Sequence, residues 1–378
     1  MKVEFFKHNL GVTEERAALR VFRSLFLTTG KNVQEFEEGL AKYLGVKHSV
    51  GLMSCTSALH LALLAAGVKP GDEVITTPMS FVATANVILM TGATPVFVDV
   101  EPETGNIDAA LIEKAITKKT KAILPVHLFG QMVDMKKILA IAKKHKLVVI
   151  EDAAHALESR RDGMRPGTNS FAACFSFYAT KGITSGEGGA LATNSAEVSR
   201  LIRQLRSHGI TAELAQRERT GVKTYDVDVT GWKANMNNIQ AALLIPQLKN
   251  VELVWKKRAA VAARYRTAFT GFLDMPKTLP KVKHGHHLFP VWVDPKKRDK
   301  VLEYLIEHSV GAVINYPPIH LFTLYRKRFG FKKGDFPIAE KIAARTISLP
   351  LYSKLKDKEV GYVIKHVLQA VQKKYAGD

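Results

Sequence analysis

Four short stretches of this chain hold side chains that could do chemistry. FSFYATKGITSGEGG (175–189) places Lys181 just after an apolar, aromatic run and ahead of Gly182, Gly186, Gly188 and Gly189. A lysine there either reaches out to water or is used. Desolvated, its amine loses its proton more readily and becomes a nucleophile or a Schiff-base former. VIEDAAHA puts Asp152 at the end of another apolar run, with Glu151 and His155 beside it. In open α/β sheets the carboxyl ends of strands are where ligands bind, although Asp152 could equally cap a following helix.

MSCTSALHLALLAAG reads as a small polar loop opening a helix, with Ser54 or Thr56 as cap. Its free N–H groups suit a phosphate. In TPMSFVATAN, Phe81 follows a turn and either stacks on a planar ligand or packs in the core. A phosphate cradle, a stacking ring, a carboxylate and an amine are together what a pyridine cofactor needs. The carboxylate holds the protonated ring nitrogen, and the lysine holds the aldehyde. The combination points to pyridoxal 5'-phosphate (PLP).

The elements that must position these groups follow from periodicity. Helices are expected at Thr13–Phe26, Thr56–Ala66, Ser80–Met90, Asp108–Ile116 and Asp134–His145. Strands are expected at Glu73–Thr76, Pro95–Asp99, Lys121–Val126, Leu147–Glu151 and FSFYA. AILPV and LVVIE are apolar on both faces, as strands of a helix-covered sheet must be. This alternation predicts an α/β fold on a mainly parallel sheet. A basic amphipathic segment, Ala241–Phe269, is expected to be broken or kinked near Pro246. It leads to a strand in HLFPVWV and helices at Lys300–His308 and Lys358–Lys373. Residues 1–245 are therefore expected to form a large domain and residues 246–378 a smaller α+β domain, with the N-terminal segment able to pack on the latter.

Composition narrows the class. The chain has 378 residues, 46% of them hydrophobic, and two cysteines, Cys55 and Cys174. No apolar run nears the ~20 residues of a membrane span, and no signal peptide is visible. A cytoplasmic, reducing compartment is expected. The net charge is +20, from 55 Lys and Arg against 35 Asp and Glu. The basic clusters, such as Lys143–Lys146 and Lys296–Lys300, are spread along the chain without a nucleic-acid-binding motif. They favour a small anionic substrate over nucleic acid. The HGHH run (His284–His287) lacks nearby cysteines and precedes a strand. It reads as a small-domain segment near a substrate entrance, and no metal is expected.

The ordered motifs SCTSALHLAL, PMSFVATAN, GATPVFVDV, VIEDAAHA, FSFYATKGITSGEGG, RSHG, GWKANMNNIQAA, NYPPIHL and ISLPLY resemble the DegT/DnrJ/EryC1/StrS family. The resemblance implies an aspartate-aminotransferase-like fold (PLP fold type I) and PLP-dependent sugar transamination. It implies that Lys181 is the Schiff-base lysine and proton shuttle. Asp152 is then the partner of the pyridine nitrogen, His155 a neighbour of the ring and Phe81 the stacking aromatic. Cys55 and Thr56 belong to the phosphate loop, Ser176 is a phosphate ligand, and Asn235 reaches the phosphate of the other subunit of a homodimer. Tyr316 and His320 line the sugar pocket. Further implied are L-glutamate as donor, a nucleotide-linked keto sugar as acceptor, transfer most akin to C4 transaminases, and ping-pong kinetics. Asn238 and Ala234 depart from the family's usual residues on the dimer side. Members with His in place of the lysine are dehydratases; Lys181 favours transamination over that activity. A PLP-binding regulatory or nucleic-acid-binding protein is the other alternative.

Overall fold

A computed structural model describes residues 1–211 and 224–373. Its central element is a seven-stranded sheet. The strands are β1 (His48–Leu52), β2 (Glu73–Thr76), β3 (Thr94–Phe97), β4 (Thr120–Ile123), β5 (Val148–Asp152), β7 (Ala172–Ser176) and β8 (Gly189–Thr193). A two-residue strand β6 (Arg160–Arg161) lies outside it and pairs with β9 (Val282–Lys283). The sheet order is β1-β8-β7-β5-β4-β2-β3. The β2–β3, β2–β4, β4–β5 and β5–β7 pairs are parallel, whereas β8 runs antiparallel to both β7 and β1. Hence β1, β7 and β5 point the same way, and their carboxyl ends share one edge with the start of β8. This is the mainly parallel α/β architecture expected from the alternating pattern.

The sheet is covered on both faces. One layer packs the helix Cys55–Ala65 against Val50, Ile150, Cys174 and Leu191. The other packs the helix Lys31–Leu44, through Phe36, Leu40 and Leu44, against Ala173, Phe175 and Ala190. The Ala- and Leu-rich Cys55–Ala65 helix is buried nearly all round, which suits its lack of a polar face. A separate cluster lies beyond residue 250. There β10 (Phe289–Trp292) pairs antiparallel with β11 (Thr346–Leu349), and helices Arg298–Glu307 and Asp357–Gln372 pack around them. Val3 joins this cluster, donating its N–H to Ser309 O (2.9 Å) and accepting from Gly311 N–H (2.8 Å).

Several boundaries differ from expectation. The helix expected at Thr13–Phe26 is Val12–Phe22, the one expected at Ser80–Met90 is Ala83–Met90, the one expected at Asp108–Ile116 is α-helical only over Ala109–Ile112, and the strand expected at Lys121–Val126 is Thr120–Ile123. The segment expected to be broken or kinked near Pro246 is two helices, Asn238–Lys249 and Val251–Phe269, and the break falls at Asn250 rather than at the proline. Pro246 sits within the first helix. Its carbonyl accepts from the Asn250 side chain (3.2 Å), and Asn250 leaves helical geometry. The second helix buries Val251 in the sheet core and Tyr265 and Phe269 in the C-terminal cluster, so it spans both. The strand expected over FSFYA stops at Ser176. Phe177 N–H still bonds Gly188 O (2.9 Å), but Lys181 N–H turns back to Tyr178 O (2.9 Å). Lys181 therefore sits in a turn beyond the strand.

At the common edge, Gly189 faces both Leu52 and Ser176 in register. A Cβ at Gly189 would fall 2.2 Å from Ser54 C and 2.4 Å from Cys55 N. Gly189→Ala is expected to push the start of the Cys55–Ala65 helix off the sheet and destabilise the fold by about 1–3 kcal/mol. A lowered urea midpoint with unchanged m-value would report it.

Candidate active site

Asp152 ends β5 and is buried. Its Oδ2 accepts a hydrogen bond from the Thr84 hydroxyl (2.8 Å), and its Oδ1 accepts one from Ala154 N–H (3.1 Å). Thr84 in turn contacts the Ser80 hydroxyl (2.8 Å). Burial raises the Asp152 pKa, while Thr84, Ala154 and the nearby Lys181 pull it down. Side chains alternate along a strand, so Glu151 points to the other face. There its carboxylate accepts from Gly167 N–H (2.8 Å) and the Ser170 hydroxyl (2.5 Å), and lies 2.6 Å from His127 Nε2. His127 Nδ1 accepts from Val133 N–H (3.3 Å), which leaves Nε2 to donate to Glu151. The expectation that Glu151 accompanies Asp152 at the ligand is thus corrected: its lone pairs are used in the scaffold.

Lys181 reaches into the same space. Burial lowers its pKa to about 8, opposed by Cys55 and Asp152. Its Nζ lies 3.1 Å from His287 Nε2, and the His287 ring centroid is 4.2 Å from that of His155. Tyr316 OH is 3.2 Å from His155 Nε2, and their rings are nearly parallel. His155 is buried, and that burial pushes it well below the usual imidazole value, so its ring is neutral. Its Nδ1 has no partner, nor does Oδ1 of Asn315 beside Tyr316.

The helix Cys55–Ala65 starts against this space. Ser54 caps it by accepting from Ser57 N–H (3.0 Å). The N–H groups of Cys55 and Thr56, in the first turn, have no acceptor within the helix and carry the positive end of its dipole. Burial pushes the Cys55 thiol pKa up, so backbone rather than sulfur offers itself to an anion. Ser176 lies across from it at the end of β7. Phe81 is 60% exposed with its ring 6.4 Å from that of Tyr316, a free aromatic face on the wall.

These groups line one cavity of about 530 Å³. Lys181, Asp152, His155, Ser176, Phe81 and Tyr316 are in its wall, as are Cys55 and Thr56. The set fits PLP. Unpaired N–H groups at a helix start suit its phosphate, and the buried Asp152 carboxylate suits a protonated ring nitrogen. His155, in the same wall, has an unpartnered Nδ1 that could meet a polar group of the ring, and Lys181 could supply the amine. Two expected residues are not brought in. His320 is fully buried behind the cavity, with Nε2 3.0 Å from Glu340 Oε1 and its ring against Phe336 (4.7 Å), so in this chain it does not line the sugar pocket. Asn235 lies in a separate depression with Thr29, Arg203 and Lys233, donating to Thr29 Oγ1 (2.6 Å). The sequence reading missed Thr84 and His287. Thr84 is three residues past Phe81 in a motif already singled out; His287 was read only as part of a histidine run.

Among known families, the model for DegT/DnrJ/EryC1/StrS aminotransferases matches residues 9–368. The chain belongs to the DegT/DnrJ/EryC1/StrS aminotransferase family. It is 42% identical to the spore coat polysaccharide biosynthesis protein SpsC of Bacillus subtilis (strain 168), over 96% of this chain and 95% of that one. It is 36% identical to the UDP-4-amino-4-deoxy-L-arabinose–oxoglutarate aminotransferase of Shewanella sediminis (strain HAW-EB3), over 95% of each. The fold superposes on Spr1654 from Streptococcus pneumoniae in its PMP form with a TM-score of 0.93, at 30% identity over 98% of this chain and 99% of that one. The protein is a PLP-dependent sugar aminotransferase of PLP fold type I.

Thr84 gives the site a direct test. Thr84→Val keeps the shape but removes the donor to Asp152 Oδ2. Hydrogen bonds to charged groups contribute about 1.5–3 kcal/mol, so PLP retention is expected to weaken roughly tenfold or more, read by equilibrium dialysis of the stripped protein.

Proposed function

We propose that this aminotransferase moves an amino group from L-glutamate to the 4-keto group of a nucleotide-linked sugar, in two half-reactions at the Lys181 cavity. The observation that carries this reading is the meeting of Lys181, Asp152 and the Cys55–Ala65 helix start in one cavity. Bound there, PLP supplies an aldehyde that carries the amino group and a protonated ring that withdraws electrons. The residues of the chain do the rest. Cys55 and Thr56 N–H groups and the Ser176 hydroxyl would hold the phosphate. Asp152, fixed by Thr84 and Ala154, would hold the proton on the ring nitrogen. Phe81 would supply an aromatic face for the ring. The Lys181 Nζ would take the proton from the glutamate Cα and return a proton at the sugar carbon, while the cofactor carries the amino group between them and water supplies the oxygen of the 2-oxoglutarate released. With a pKa near 8, the amine exchanges a proton at neutral pH far more easily than a solvated lysine does.

The acceptor class is supported by the amino-arabinose relative, whose name specifies a 4-amino sugar on UDP and oxoglutarate as counterpart. Its name also favours glutamate as donor. A chain of net charge +20 attracts a diphosphate-linked substrate. Tyr316 and Asn315, on the wall beside Phe81, are placed to meet the sugar. The spore-coat relative supports a role in cell-surface polysaccharide synthesis.

A homodimer belongs to the same proposal, with Asn235 of one copy reaching the phosphate held by the other. Asn235 Oδ1 is buried without a partner, away from this copy's own cavity. Phe22, Leu25, Phe26 and Leu27 expose apolar surface near the start of the same depression. Among the described residues no helix is long and apolar enough to cross a membrane, and we place the enzyme in the cytoplasm, where nucleotide sugars are made.

Purified protein is expected to lose its visible cofactor absorbance on adding glutamate. It should then regain it with one member of a panel of UDP-, GDP- and dTDP-linked 4-keto sugars, releasing the amino sugar. Initial rates at several donor and acceptor concentrations should give parallel double-reciprocal lines. Lys181→Ala is expected to lower the transfer rate by about a thousandfold or more. Bleaching by glutamate with 3-keto sugars as the only acceptors would replace the C4 reading. Absence of bleaching with glutamate and with every other amino acid would end the transamination reading.

A further inference from the structure

The HGHH segment enters the site in a way that the roles above leave unused. His287 Nε2 lies 3.1 Å from Lys181 Nζ, inside the cavity wall. The imidazole is held from behind. His287 N–H donates to Phe129 O (3.1 Å). Arg258, from the helix Val251–Phe269, donates through Nε to His286 O (3.1 Å) and through Nη2 to Gly285 O (3.1 Å). The same Nη2 pairs with Glu158 Oε1 at 2.6 Å, and both side chains are buried. Arg258 also closes on the turn that carries Lys181: a Cβ on Gly182 would sit 2.4 Å from Nη1. One buried guanidinium therefore braces both ends of the Lys181–His287 contact.

The protonation states agree with this geometry. Burial, with Lys181, His155 and Arg258 nearby, pushes His287 well below the usual imidazole range. It is neutral near pH 7 and has a ring nitrogen lone pair to offer. Lys181, at about 8, is mostly an ammonium at that pH and has protons to give.

We infer that His287 is the positioning partner of Lys181: its neutral imidazole accepts a hydrogen bond from the Lys181 amine whenever that amine is not bound to cofactor, and Arg258 fixes the imidazole for this task. The inference rests on the reading of Lys181 as the cofactor lysine. During transfer the lysine must leave the cofactor, stay within reach and come back. A four-carbon stem with a free amine has many rotamers, and an acceptor at 3.1 Å selects one of them. The titratable and charged groups lining the space around Lys181 are Cys55 at the helix start, Asp152 at the end of β5, His155 and Glu158 after it, Tyr178, Glu187, Tyr316, His287 and, behind it, Arg258. Of these, the structure bonds the amine to His287. Accepting from the ammonium favours the charged form, so His287 offsets part of the desolvation that lowers the Lys181 pKa.

The test uses full-length protein stripped of cofactor. Pyridoxal 5'-phosphate is added, the product is trapped with borohydride, and labelling at Lys181 is followed by peptide mass against pH. Wild type is expected to show a midpoint near pH 8. His287→Leu removes the acceptor, and its midpoint is expected to fall by about one unit, raising the labelling rate at pH 7 about fivefold. His287→Gln, whose amide oxygen accepts, should restore the wild-type profile. Equal midpoints in all three proteins, or a glutamine variant that matches leucine, would overturn the inference while leaving the cofactor reading in place. No labelling of Lys181 in wild type would instead overturn that reading. Should the leucine variant not fold, Lys181→Ala in protein labelled with 15N-histidine decides the matter. The His287 Nε2 resonance must move when the amine is removed, and an unmoved resonance rejects the contact.

Discussion

The structure depends on keeping a primary amine and a carboxylate out of water in the same cavity without letting them cancel each other. Lys181 and Asp152 each lose solvation. Burial moves their pKa values toward the neutral forms, and their mutual attraction opposes it. If they met in a tight salt bridge, the amine would be spent. Asp152 is occupied instead by Thr84 and Ala154, and Lys181 by His287. Each charge has its own neutral partner, and the space between them is left for a planar ring. A cavity lined this way is unstable on its own terms, because His155 Nδ1 and Asn315 Oδ1 are buried without hydrogen bonds. Groups of this kind persist where a ligand completes them.

Holding that arrangement falls to backbone approaches and to one cation. Gly189 lets the start of the Cys55–Ala65 helix lie directly on the strand edge, so its N–H groups face the cavity. Glu37 ties the flanks from below, accepting from Gly51 N–H (2.7 Å) and pairing with Arg206 (2.7 Å) and Arg203 (2.6 Å). Arg258 does the corresponding work on the other side, between Glu158, Gly182 and the 285–286 carbonyls. Its helix packs on the sheet at Val251 and in the C-terminal cluster at Tyr265 and Phe269. The Lys181 turn is thereby mechanically connected to both cores.

Much of the fold could be read from periodicity, because most elements carry their own signal. The helix expected at Thr56–Ala66 and the strand at Glu73–Thr76 fall within a residue of the observed ones. The failures have local causes. FSFYA has strand composition, but the chain must turn after Ser176 to bring Lys181 over the edge, and Gly188 supplies the last ladder bond. Pro246 looked like a break, yet the neighbouring Asn250, whose side chain bonds the Pro246 carbonyl, is where the helix ends. Glu151 and Asp152 look equivalent in a sequence, and only strand parity separates a scaffold acid from a cavity acid.

Residues singled out one at a time in the sequence mostly fall in one cavity wall, Asn235 and His320 excepted, whereas contacts between residues were illegible. Thr84 and Asp152 are 68 positions apart, and Lys181 and His287 are 106 apart. Neither pair has a spacing that a sequence pattern could betray. A histidine run suggests a metal because histidine is the commonest metal ligand. Here the three imidazoles do not converge on one point: the His284 and His286 rings lie 4.6 Å apart, with His284 Nδ1 accepting from His286 N–H (2.9 Å), whereas His287 contacts the lysine. The backbone between them is left-handed at His286 (φ 50°). Arg258 holds that residue by its carbonyl. The same cation that braces the Lys181 turn thus also holds the left-handed residue next to His287.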